Sequence, residues 1–236
     1  MLVLPATTAL GIAFGVTTGL AVGLLGWATP RPGRTMRVLL AWLLLQGAVA
    51  GRGFYTVVGG WPPRMAGQLV PPLLLLAALL LSRRGQSYLD RLRPGRLTLL
   101  HVVRVPVELV LLGLYQHGAV PQLLTLAGRN PDILAGLSAP VVYYLVFRRR
   151  WLGPRALLGW NLVALASLLN VAAHAALSVP SPFQRLAFEQ PNVAVLYFPF
   201  NWLPACVVPL VLLAHLAVIR RLWRRKPAGW PRMAAA

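Results

Sequence analysis

The chain has 236 residues, 58% of them hydrophobic and 11% charged, and its 23 Lys+Arg against 4 Asp+Glu leave a formal charge of +19. Soluble domains run nearer half apolar and about a quarter charged, which excludes an ordinary soluble enzyme, and a disordered chain would need low hydrophobicity. The basic excess does not point to nucleic acid, because the arginines cluster between apolar stretches and Lys226 is the only lysine.

A bilayer core of about 30 Å takes roughly 20 apolar residues per helix. Seven stretches qualify in chain order: 2–27, 37–58, 66–82, 97–118, 132–147, 155–179 and 193–219. The expected fold is an all-α, seven-helix transmembrane bundle, a single domain over 1–222 followed by a basic tail at 223–236. The first stretch has no basic residues before it and exceeds a signal-peptide core, so it reads as a retained helix. The third and fifth are near the lower length limit. Arginines flank the first connection (Arg31, Arg34, Arg37), the third (Arg83, Arg84, Arg91, Arg93, Arg96) and the fifth (Arg148, Arg149, Arg150, Arg155), and the tail is basic. The opposite connections hold only Arg64, Arg129 and Arg185. The positive-inside rule then predicts the N-terminus outside and the C-terminus in the cytoplasm.

Ionisable groups inside a membrane cost free energy and call for a reason. The second stretch contains Arg52, at an estimated depth close to that of Glu108. The fourth reads HVVRVPVELVLLGLYQH and places His101, Arg104, Glu108 and Tyr115 on one helix face. Arg104 and Glu108 are i,i+4, so Glu108 is expected to meet Arg104, Arg52 or both. Pro106 should free the carbonyl near Val102. This set suggests a proton relay or a polar ligand site, against an ion pair that only fixes packing.

The fifth stretch opens GRNPD. There Asn130 suits an N-cap, Pro131 the first helical position and Asp132 the positive helix end. The sixth carries Asn170, His174 and Ser178 as one polar stripe. PSPFQRLAFEQPN between the sixth and seventh should form a compact outer cap, with Phe183 and Phe188 shielding an opening. The seventh has Pro199, Pro204 and Pro209 with Asn201 among them, which predicts a broken helix with open carbonyls at Val195, Phe200 and Ala205. The principal cavity is expected between the fourth, sixth and seventh stretches, with Glu108, Tyr115, Asn170, His174 and Asn201 converging on it.

Cofactor signals are sparse. His101 with His215, and His117 with His174, form two layers that suggest bis-His haem b, but no CxxCH attachment motif is present, and no cofactor is the favoured expectation. One cysteine, Cys206, builds neither a disulfide framework nor a thiolate metal site. A retinal Schiff base would need an intramembrane lysine.

GRNPDILAGLSAP, WNLVALASLLN and LSVPSPFQRLAFEQPNVAVLYFPFNWLP resemble segments of a group of uncharacterised bacterial seven-span membrane proteins. The resemblance covers about 97–219, implies the bacterial cytoplasmic membrane, and brings no activity. Three functions stay open: proton-coupled or small-solute permeation, a membrane enzyme acting on a lipid or isoprenoid, and a sensor or assembly partner. The expected partners are the bilayer and a small polar or lipid ligand.

Overall fold

The computed structural model describes residues 8–224, and every regular element among them is helical. Helix α1 (Thr8–Ala28) turns tightly into α2 (Pro32–Gly51), where Pro32 sits in the first turn and its missing N–H removes no helix bond. α2 starts and stops earlier than the 37–58 stretch. Glycines on both sides of Arg52 end it, Gly53 adopting φ +71°, so Arg52 lies exposed at the helix end and not inside a span.

α3 (Ala66–Leu81) matches expectation, but the third connection holds a helix of its own, α4 (Arg83–Arg91), turned 91° from α3. Ser82 caps α4 by accepting from the Gly85 amide. A Cβ on Gly85 would lie 2.4 Å from the Leu79 Cα, so the corner needs glycine. α5 (Pro94–Leu100), a 3-10 turn (His101–Val103) and α6 (Arg104–Gln116) run on as one 23-residue rod. The tighter turn sits where Pro106 cannot donate back to Val102. α7 (Asp132–Tyr143) ends in a π turn (Tyr144–Arg148), and α8 spans Pro154–Leu177. The last rod is a π turn (Leu203–Val207) that continues into α9 (Val208–Arg224). It starts later than the 193–219 stretch, because 197–202 forms a compact turn around Pro199.

Contacts sort the connections into two ends. At one end the Arg93 amide donates to the Ala28 carbonyl, Arg96 donates to the Trp27 carbonyl, and Asp90 pairs with Arg220 and Arg224 of α9. At the other end Trp61 meets Phe183 at 5.2 Å, Gln190 donates to the Tyr115 and Val120 carbonyls, and the Val193 amide donates to Ala119. The rods therefore shuttle between the two ends. The 180–192 segment is compact, closed by Asn192 amide donation to Ser178 and by Arg185 and Leu186 amides on the Leu177 carbonyl.

The surface is inverted relative to a water-soluble protein. Ile12 and Val16 on α1, Leu44 and Leu45 on α2, Leu134 and Leu137 on α7 and Val163 on α8 face outward, Val163 at 74% exposure. Gln46, His101, Arg104, Glu108, Asn161, Asn201 and His215 are buried. Water would reward the opposite arrangement. Among the described residues, four helical rods are long and apolar enough to cross a membrane: α1, α5–α6, α8 and the π turn with α9; the bent α3–α4 pair makes a fifth if counted as one.

Candidate functional site

Arg104 is the hub of the buried polar groups. Its guanidinium is 3.1 Å from the Asp132 carboxylate, donates at 3.1 Å to the Ala164 carbonyl, and reaches the His215 Nε2 at 2.8 Å. Asp132 also accepts from the Ser167 hydroxyl at 2.9 Å. Because the guanidinium can only donate, His215 Nε2 accepts. The proton then sits on Nδ1, which donates to Asn161 Oδ1 at 3.0 Å. Asn161 is oriented for this by giving its amide to the Leu157 carbonyl at 2.9 Å. The set joins α6, α7, α8 and α9, with α8 contributing Asn161, the Ala164 carbonyl and Ser167 from successive turns of one face.

Glu108 does not meet Arg104 or Arg52. Its carboxylate accepts from the Leu126 amide and from the Asn130 side chain at 2.6 Å, and Asn130 Oδ1 in turn accepts the Asp132 amide at 3.0 Å. The physical reason is depth. The 117–131 connection folds into the end of the bundle that also carries the 180–192 segment, so α7 begins inside it, and Asp132 arrives beside Arg104. A distant carboxylate in good geometry displaces the i,i+4 partner, and Glu108 is left to neutral donors. A Cβ on Gly128 would lie 2.3 Å from the Gln122 carbonyl oxygen, so glycine is needed where this connection doubles back over Glu108.

A cavity of about 60 Å³ lies among α6, α7, α8 and the π turn before α9, lined on its polar side by Arg104, Glu108, Asn130 and Asp132. Since a water needs about 10–15 Å³ of such space, it has room for a few waters or a very small solute. It occupies the expected place between the fourth, sixth and seventh stretches, but it is smaller than the groove beside α2 and α3 described below, and its polar lining differs from the expected one. Tyr115 is half-buried and lines an open surface depression of about 450 Å³ with Arg129 and Glu189. Asn170 gives its amide to the Arg129 carbonyl, and His174 bonds the Asn170 carbonyl of its own helix. Asn201 is buried against α2, donating to the Gln46 carbonyl at 3.1 Å. The broken seventh stretch offers fewer open carbonyls than expected. Ala205 accepts the Trp42 indole N–H at 2.8 Å, and Phe200 accepts the Leu203 amide. Phe183 packs on Trp61, while Phe188 stays exposed.

His101 and His215 do come together, with ring centroids 4.0 Å apart at 31°. Rings in direct contact leave no space for a haem plane between them, and both His215 nitrogens are already bonded. His117 and His174, the other expected layer, each turn Nδ1 to a carbonyl of their own helix. The His101 ring is fully buried against Trp160 and His215, and neither of its nitrogens has a protein hydrogen-bond partner. Such a group costs about 1–3 kcal/mol, so a purely structural core would favour an apolar residue there.

Asp132, Asn130, Ser167, Asn161 and His215 are the members of this network that the sequence did not place in the site. A family model described as a domain of unknown function (DUF8737) matches residues 65–223, more than half of the chain and all of the network. No curated protein and no solved structure matches the chain.

Proposed function

The chain belongs to the DUF8737 family, and we propose that it is a seven-span membrane protein that moves protons, alone or with a small polar solute, through the Glu108–Asn130–Asp132–Arg104–His215 network. The observation that carries this reading is a connected set of ionisable side chains buried among apolar helices beside a small polar cavity. Such groups in a bilayer mark ion and proton pathways more often than packing. Within the set the roles divide by chemistry. Arg104 and Asp132 neutralise one another, fix the helices and supply the polar bridge by which the path from Glu108 and Asn130 continues to His215. Glu108 has no cation, so it can take or release a proton without breaking an ion pair. His215, one bond inward of Arg104, and His101 stacked on it are the next groups able to carry a proton.

Seven crossings, with the N-terminus outside, are supported by the outward leucines of α2 and α7, by the two-ended sorting of the connections, and by the arginines collected at one end. α4, with Leu89 buried and its arginines outward, suits the interface on the cytoplasmic side. Of the basic tail expected at 223–236, residues 225–236 lie outside the described residues. Single cysteines introduced in a Cys206→Ala background test the orientation. Position 87 should react with an impermeant maleimide only after the cells are opened, and position 184 in intact cells. The reverse pattern would overturn the orientation.

The functional reading is tested in proteoliposomes with a pH-sensitive dye inside. A potassium gradient with valinomycin sets the membrane potential. Proton entry well above that of protein-free vesicles is expected. Entry equal to the protein-free rate, from vesicles in which insertion is verified, would contradict proton conduction without a solute.

A further inference from the structure

A second groove bounded by helices is unrelated to the polar network. It has a volume of about 230 Å³ and lies between α2, α3 and the last rod, lined by residues that include Val38, Trp42, Pro72, Leu75, Cys206 and Leu210. Its lining side chains are apolar apart from the Trp42 indole N–H, which is taken by the Ala205 carbonyl. The groove exists because neither wall is a regular helix. Pro71 and Pro72 interrupt the bonding of α3, and the π turn at Leu203–Val207 widens the opposite rod, leaving small Ala205 and Cys206 as floor. Its volume falls below the 300–1,000 Å³ of pockets that take a whole drug-sized ligand. One hydrocarbon chain suits it better than a compact molecule.

The surroundings say which chain. The lining residues of α2, Val38, Leu39 and Trp42, begin directly after Arg37, and those of α3 reach Leu79, one turn before Arg83, so the groove opens toward the arginine-rich end of the bundle. Exposed Arg34 and Arg37 stand at the start of α2, and exposed Arg83 and Arg84 follow α3 directly. Among the described residues, none of these four faces a carboxylate within salt-bridge distance. An apolar slot ending under a cationic rim matches a molecule with a hydrocarbon tail and an anionic head.

We infer that this groove holds one acyl chain of an anionic glycerophospholipid of the cytoplasmic leaflet, with the phosphate on the Arg34, Arg37, Arg83 and Arg84 rim. The inference needs the membrane orientation proposed above and does not depend on proton transport.

Trp42 supplies a reporter inside the groove. The full chain is reconstituted in phosphatidylcholine vesicles containing a minor fraction of lipid brominated on its acyl chains, as phosphatidylglycerol or as phosphatidylcholine. The Trp42 contribution is the emission of the wild type minus that of Trp42→Phe. Brominated phosphatidylglycerol should quench it at roughly tenfold lower mole fraction than brominated phosphatidylcholine, since basic residues at the surface favour anionic lipid. Arg83→Gln with Arg84→Gln should shrink that difference several-fold while leaving quenching by phosphatidylcholine unchanged. Equal quenching by the two lipids would overturn the anionic assignment. Quenching by neither, in protein shown to be inserted, would overturn the acyl-chain assignment and leave the groove to a second copy of the chain, which cross-linking between protomers through Cys206 would then reveal. Failure to insert at all would sink the membrane reading together with this one.

Discussion

Asp132→Ala destabilises the folded chain by about 3–5 kcal/mol, the cost of leaving a buried charge without its partner. Arg104 and Asp132 are both largely buried, and truncation strands the guanidinium between Ala164 and His215, neither of which carries negative charge. Ser167 also loses its acceptor. Asp132→Asn is milder, because an amide oxygen still accepts from Arg104 and Ser167, although the attraction between full charges is gone. Reversible unfolding in mixed detergent measures both. The prediction fails if Asp132→Ala unfolds within about 1 kcal/mol of the wild type, which would mean that water or lipid already compensates Arg104.

Glu108→Gln reduces proton entry into proteoliposomes to the protein-free rate while the protein still inserts and folds. The amide oxygen of the replacement can accept from the Leu126 amide as one carboxylate oxygen does now. Its NH2 group then confronts the Asn130 side-chain donor, which now bonds the second oxygen. That mismatch costs about 1–3 kcal/mol, less than the loss of Asp132. The functional loss should be complete because glutamine cannot exchange a proton, and Glu108 is the carboxylate of the network without a cation. Retention of half or more of the wild-type flux would remove Glu108 from the path.

The helical rods were legible because apolar runs of the right length are direct consequences of a hydrocarbon solvent, and most of them agree with the described helices to within a few residues. α4 was not, since RRGQSYLDR reads as a charged connection until Ser82 is seen to cap it and Leu89 to bury. In the site, sequence spacing identified Arg104 and Glu108 as the residues needing an explanation, but it paired them with each other. Helical spacing reports neighbours on one helix and is blind to partners 28 residues away, the separation between Arg104 and Asp132. A clue was present in the shortness of the 132–147 stretch. A helix too short to cross the whole bundle implies that its first turn begins inside it, which turns Asp132 from a capping residue into a buried one. His101 and His215 were placed in one layer by depth alone, and they do meet. Asn201 was drawn to the wrong neighbour because the rotation of the last rod depends on its π turn and on Trp202, whose indole bonds the Leu43 carbonyl, features that periodicity does not encode.

Whether the buried network moves protons or only holds helices together is decided by the double variant Arg104→Met with Asp132→Leu. Replacing a buried ion pair by apolar residues of similar size is often neutral or stabilising, so the double variant should recover most of the stability that Asp132→Ala loses. Proton entry in proteoliposomes is then measured on a chain that folds but lacks the charged centre between Glu108 and His215. The proposal predicts recovered stability with flux at the protein-free level. Recovered stability with flux at the wild-type rate would contradict it and assign Arg104 and Asp132 to packing.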